Sequence, residues 1–148
     1  MITVTRTVRI GALVAFVLSL AGGFALAQLP RTKAPANVHE YIISPKDGDT
    51  VSRTFTVQFG LKGMGVAPAG VNTPNTGHHH LLIDVATPPN MTTPLPATDQ
   101  IRHFGGGQTE TELTLTPGKH TLQLVLGDHL HIPHDPPITS PVVTVTVK

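Results

Sequence analysis

The sequence contains no cysteine, no tryptophan and a single tyrosine. Without cysteine there are no disulfides, no thiolate-ligated zinc or iron–sulfur centre and no cysteine nucleophile. A lipoprotein of the acylated-cysteine kind is excluded for the same reason. Stability has to come from an apolar core. The scarcity of tryptophan and tyrosine leaves few stacking platforms for sugars or bases. Charge is also sparse, with charged residues making up 13% of the chain. No G-x-S-x-G, H-E-x-x-H, P-loop or dinucleotide fingerprint is present. Beyond residue 27 no segment carries a sustained helical apolar period.

The N-terminus has the form of an export signal. Arg6 and Arg9 form a basic region, Ile10 to Leu20 an apolar one, and Ala25-Leu26-Ala27 the small-x-small pattern of a cleavage site. Cleavage after Ala27 would leave residues 28–148, enough for one domain. The alternative is an uncleaved anchor. Spanning takes roughly 20 apolar residues, and Gly22-Gly23 interrupts this run. The expected location is the periplasm or the exterior, without stable membrane insertion after cleavage. The mature part keeps eight basic residues against nine acids. That balance gives no basic footprint for nucleic acid or anionic membrane.

Residues 28–37 (QLPRTKAPAN) are polar and Pro-containing and are expected to be a linker to a domain over 38–148. That domain reads as β throughout. Val38 to Ile43 is a first strand, and Ser44 to Asp49 a turn. Phe55, Val57 and Phe59 alternate with polar residues. His80 to Ala86 is a strand with Leu81, Ile83 and Val85 inward. Gly60 to Gly77 and Thr87 to Gly107 read as long loops of the functional or mobile kind. The stretch TETELTLTPGKHTLQLVLGD is expected to be a β-hairpin, with Leu113 and Leu115 inward on one strand and Leu122, Leu124 and Leu126 inward on the other. Val143, Val145 and Val147 close the chain. Six to seven short strands predict an all-β, immunoglobulin-like sandwich, with a small barrel as the alternative.

Histidine is the residue in excess: there are nine, all beyond residue 27. On a strand, His78 and His80 share one face and His79 takes the other. The H-x-H spacing recurs at His129 and His131, followed by His134, and His103 precedes the expected hairpin. The ends of that hairpin near Thr109 and Gly127 must lie together. This gathers His103, His129, His131 and His134 at one end of the sandwich and excludes His120. His78 and His80 join them only if their strand begins at the same end, which the sequence leaves open. Asp84, Asp128 and Asp135 are candidates to orient the imidazoles. His39 reads as structural or surface.

The expected metal ligands are therefore His78, His80, His103, His129, His131 and His134. Imidazole donors without thiolates suit Cu(II), Zn(II) or Ni(II), and copper(II) or zinc(II) is the expected cofactor. Protonated imidazole cannot coordinate, so uptake is expected to fall as pH drops through about 6.5. The expected role is a non-enzymatic carrier, buffer or sensor. Two alternatives remain. One is a non-metal envelope module using the long loops to hold a protein or glycan. The other is a metal-dependent hydrolase, for which a general base is needed; Glu110 and Glu112 alternate with threonine as on a solvated strand face.

The segments PNTGHHHLLID, HFGGGQTETELTL, PGKHTLQLVLGDHLHIPHDPP and VTVTVK resemble a bacterial exported family known as a domain of unknown function. The resemblance spans roughly Val38 to Lys148. It implies a small periplasmic domain and directs attention to His78, His79, His80, His103, His129, His131 and His134. The inferred form and the histidines also look like small periplasmic copper-handling domains. The methionine-rich motif of some such carriers is absent here.

Overall fold

The structure, a computed structural model, describes residues 29–148, so the segment expected to be an export signal lies outside the described residues. The strands are β1 (His39–Ser44), β2 (Thr50–Val51), β3 (Thr54–Lys62), β4 (Gly65–Val66), β5 (Thr76–Ile83), β6 (Ile101–His103), β7 (Glu110–Thr114), β8 (Gly118–Gly127) and β9 (Val143–Val147). They form two sheets. One has the order β1-β3-β7. The other has the order β2-β9-β8-β5-β4, with β6 paired to β5 beyond β4. Nine strands stand among the described residues where six to seven were expected, because short edge strands such as β2 and β4, each of two residues and paired in parallel, join an otherwise antiparallel framework. The division into two sheets is an immunoglobulin-like sandwich.

The inward set follows from strand alternation. Val57 and Phe59 of β3, Leu81 and Ile83 of β5, Leu122 and Leu124 of β8, and Val143, Val145 and Val147 of β9 pack into one core cluster with Leu113. Leu81, Leu113, Leu122 and Leu124 have no exposed surface. Each contributes about 1.5–3 kcal/mol of burial free energy. Val85 leaves this set. It packs instead with Leu82, Leu95, Ile101 and Val125, a smaller cluster on the far side of the β5–β8 sheet. Residues 84–100 bring Met91 and Leu95 over that face.

The expected hairpin does not form. β7 pairs with β3, Phe55 opposite Leu113, while β8 pairs with β5 and β9. The Thr-Pro-Gly turn is therefore an arch that carries the chain from one sheet to the other. Two strands with inward leucines satisfy the same alternation whether they sit side by side or face each other across the core. The arch still reverses the chain. Thr109 lies beside Phe59 of β3, and Gly127 lies opposite His78 of β5. The short strand β4, just beyond the end of β3, pairs with Thr76 and Gly77. These positions belong to one end of the sandwich.

The strand expected from His80 begins at Thr76 instead, so all three consecutive histidines lie within it. Gly77 lets the backbones approach closely along this added part. A Cβ there would stand 2.7 Å from the Gly127 carbonyl oxygen, so this part of the strand needs a residue without a side chain.

Candidate functional site

Strand alternation sends His78, His80 and Leu82 to the outer face of the β5–β8 sheet, and His79, Leu81 and Ile83 toward the core. Register then selects the neighbours. His80 lies between Val125 of β8 and His103 of β6. His78 lies opposite Gly127. Glycine at that position makes room for the rings, since a Cβ there would stand 2.6 Å from His80 Cε1.

The fourth imidazole comes from the loop after β8. Asp128 organises a tight turn: its Oδ1 accepts from the Leu130 amide at 2.9 Å and the Ile132 amide at 3.1 Å. Its carbonyl accepts from the His131 amide at 2.9 Å. Within this turn His131 adopts a φ of 65°, an uncommon conformation for a residue with a side chain. The ring then meets His78, with Nδ1 of His131 3.1 Å from Nε2 of His78 in a hydrogen bond.

His78, His80, His103 and His131 thus form a group in which one ring nitrogen from each lies within 4.8 Å of the others. Nitrogens about 2.1 Å from a common ion stand about 3–4 Å apart, so a small contraction of this group would complete a coordination sphere. His78 and His80 are each 1% exposed, whereas His103 is exposed and leaves one side of the group open. Nδ1 of His78 and both ring nitrogens of His80 are buried without a hydrogen-bond partner. Buried polar atoms are rarely left this way. Each neutral imidazole has one lone pair, so an ion here would take one nitrogen from each ring.

Burial, with the neighbouring imidazoles reinforcing it, lowers the pKa of His78 to about 4 and that of His80 to about 3. His103 is lowered for the same reasons, burial first and then His131. These rings are neutral at pH 7, each with one N–H and one nitrogen free to coordinate. His78 and His80 also remain neutral well below 6.5, so the expectation that uptake falls at that pH does not apply to them.

The other expected ligands lie elsewhere. His129 and His134 are outside the group of four. The chain leaves the strand at Gly127, so period-two spacing no longer puts residues 129 and 131 on one face. The His129 carbonyl accepts from Gly70, and the His129 ring is not in the group. His134 is fully buried, with Nδ1 3.4 Å from the Leu126 carbonyl. The aspartates expected to orient imidazoles do other work near the group. Asp128 binds backbone amides, and Asp135 pairs with Arg31 at 3.1 Å. Asp84 does hold an imidazole, at 2.7 Å, but it is that of His120 at the other end of the sandwich. The Asp84 hydrogen bond raises the pKa of His120.

His79 points away from the group and into the core. Its Nδ1 lies 2.8 Å from Oε1 of Glu40, which is 2% exposed. Burial raises the Glu40 pKa well above its ordinary value and lowers that of His79 to about 4. Burial thus disfavours charge on both partners, and their hydrogen bond ties β1 to β5 beneath the histidine face. Glu40 was not singled out in the sequence, although its spacing from Ile42 places both on the inward side of β1. The glycine at 127 and the amide-capping role of Asp128 were also missed.

No curated protein matches this sequence. Among solved structures the chain is similar to the fibronectin(III)-like modules of Clostridium thermocellum CbhA, at 17% identity and a TM-score of 0.47, covering 74% of this chain and 94% of that one. A family model described as "Domain of unknown function (DUF4399)" matches residues 57–148, more than half of the chain, and includes every histidine of the group. The chain belongs to this DUF4399 family.

Proposed function

We propose that this protein is an exported binder of a divalent transition metal, copper(II) or zinc(II), held by His78, His80, His103 and His131. The observation that supports this reading is the convergence of four imidazole nitrogens within 4.8 Å, with nitrogens of His78 and His80 buried and unpartnered. Neutral imidazole suits both ions, and copper(II) is generally held the more tightly of the two by a given donor set. The group contains no carboxylate to act as a base, which favours carrying, buffering or sensing over hydrolysis. The exposed ring of His103 gives an ion a way in and out. Export rests on Arg6, Arg9 and Ala25-Leu26-Ala27. Intact-mass analysis of periplasmic protein should find Gln28 as the first residue; retention of Met1 would remove that part of the proposal.

Calorimetric titration with each ion tests the binding site. The wild type should bind one ion tightly. His80→Ala and His131→Ala should each lose at least the roughly 10–100-fold in affinity that removal of an outer partner costs. His120→Ala and His129→Ala should bind as the wild type does. Equal binding by all five proteins would move the site elsewhere, and no uptake by the wild type would end the metal reading.

A further inference from the structure

We infer that Arg31 and Thr32, which precede the sandwich, are positioning residues for His131 and thereby set the affinity of the histidine group. The inference rests on the metal reading for its consequence and on geometry for its mechanism.

The segment expected to be a linker is laced to the loop after β8. The Asp135 amide donates to the Thr32 carbonyl at 2.9 Å, and the Ala34 amide donates to the Asp135 carbonyl at 2.9 Å. Arg31 Nε donates to the Pro133 carbonyl at 3.2 Å, and its guanidinium also reaches the His134 carbonyl and the Asp135 carboxylate. Backbone contact alone would make this a docked arm.

Thr32 adds a specific connection. Its hydroxyl donates to Oδ2 of Asp128 at 2.7 Å. The other oxygen of that carboxylate accepts the Leu130 and Ile132 amides. These amides flank His131, whose left-handed backbone aims its ring at His78. The chain of contacts runs from the Thr32 hydroxyl through one carboxylate to the turn that presents a ligand. Burial pushes the Asp128 pKa up, but the Thr32 hydroxyl and the two amides outweigh it and hold the net value low. Asp128 is therefore a carboxylate at neutral pH, able to accept all three hydrogen bonds.

His131 differs from the other three members of the group in its support. His78, His80 and His103 sit on paired strands, whereas His131 depends on a turn. A backbone conformation of this kind is costly for a residue with a side chain and persists only when its surroundings impose it. The arm supplies part of that constraint. Its release would free His131 while leaving the strand-borne ligands in place, lowering affinity without unfolding the sandwich.

The test uses the full chain carrying Thr32→Val, Thr32→Ser or Arg31→Gln. Titration with Cu(II) and the histidine-ring NMR signals of the metal-free protein are both measured. Thr32→Val keeps the shape and removes the donor. It should weaken binding about 10-fold, at the lower end of what outer partners cost, and should shift the His131 ring signals. Thr32→Ser restores the hydroxyl and should bind within about twofold of the wild type, which a purely steric role for Thr32 would not produce. Arg31→Gln should weaken binding in the same direction as Thr32→Val. Unchanged affinity and unchanged His131 signals in both Thr32→Val and Arg31→Gln would overturn the inference. If the wild type itself takes up no Cu(II), the metal reading fails separately. The ring signals then decide alone: a shift in Thr32→Val supports the arm's role, and no shift overturns it.

Discussion

At the scale of residues, the histidine group depends as much on missing side chains as on imidazoles. Gly127 lies directly opposite His78, and any Cβ there would press on the His80 ring. Gly127→Ala should therefore destabilise the domain by about 1–3 kcal/mol, the usual cost of overpacking, and should weaken metal uptake as well. Chemical unfolding together with titration checks both; a variant as stable and as avid as the wild type would show that the ring has room to move. Burial of His80 has a second consequence. In the unfolded chain this imidazole regains an ordinary pKa near 6.5, while in the fold it stays neutral down to about 3. Between those values the unfolded state binds a proton that the folded state does not. The contribution is absent above about 6.5 and grows unfavourable as pH falls toward 3. Between pH 7 and pH 5 the metal-free wild type should lose about 2 kcal/mol more stability than His80→Gln. Denaturant melts at the two pH values measure the difference, and equal losses would mean that His80 is not desolvated as described.

At the scale of elements, period-two alternation was enough to identify the strands that build the core. Val57 and Phe59, Leu122 and Leu124, and Val143, Val145 and Val147 all face inward as their spacing required. The same rule separated His78 and His80 from His79. Pairing was not legible. Alternation says which face of a strand is apolar but not which strand lies beside it, and so the arch between β7 and β8 read as a hairpin. A through-space NMR experiment should give cross-strand contacts between Phe55 and Leu113 and no backbone pairing between β7 and β8; the opposite pattern would restore the hairpin. Nor was the fate of His129 and His131 legible. Their spacing matched that of His78 and His80, but β8 ends at Gly127 and Asp128 closes a turn immediately after it. A turn has no period of two, and it gave one of these histidines to the group and left the other out. Asp128→Ala should free the turn, lower stability by about 1–3 kcal/mol for the amides left unpaired, and weaken metal binding through His131. Binding unaffected by this change would show that the turn holds without its carboxylate cap.

At the scale of the molecule, one sheet carries two kinds of surface. Its inner face meets the β1-β3-β7 sheet through the apolar core, and its outer face is itself covered. Leu82, Leu95, Ile101 and Val125 close one part of that outer face, while the four histidines occupy the neighbouring part. The loops over it are held to one another by backbone hydrogen bonds: Leu95 to the His131 carbonyl at 2.9 Å, Gly70 to the His129 carbonyl at 3.0 Å and Ala69 to the Gly105 carbonyl at 2.9 Å. The runs read as long loops, Gly60 to Gly77 and Thr87 to Gly107, are broken by strand pairing: the first holds the end of β3, β4 and the start of β5, the second holds β6, and the loop segments between them lie around the group. Paired strands carry His78, His80 and His103, and the loop after β8 supplies His131. Whether these four imidazoles share one ion is decided by a crystal structure of the copper- or zinc-loaded protein with anomalous diffraction at that metal's absorption edge. The expectation is a single strong peak about 2.0–2.2 Å from ring nitrogens of His78, His80, His103 and His131. A peak coordinated instead by His129, His134 or His120, or no peak in crystals grown with either ion, would contradict it.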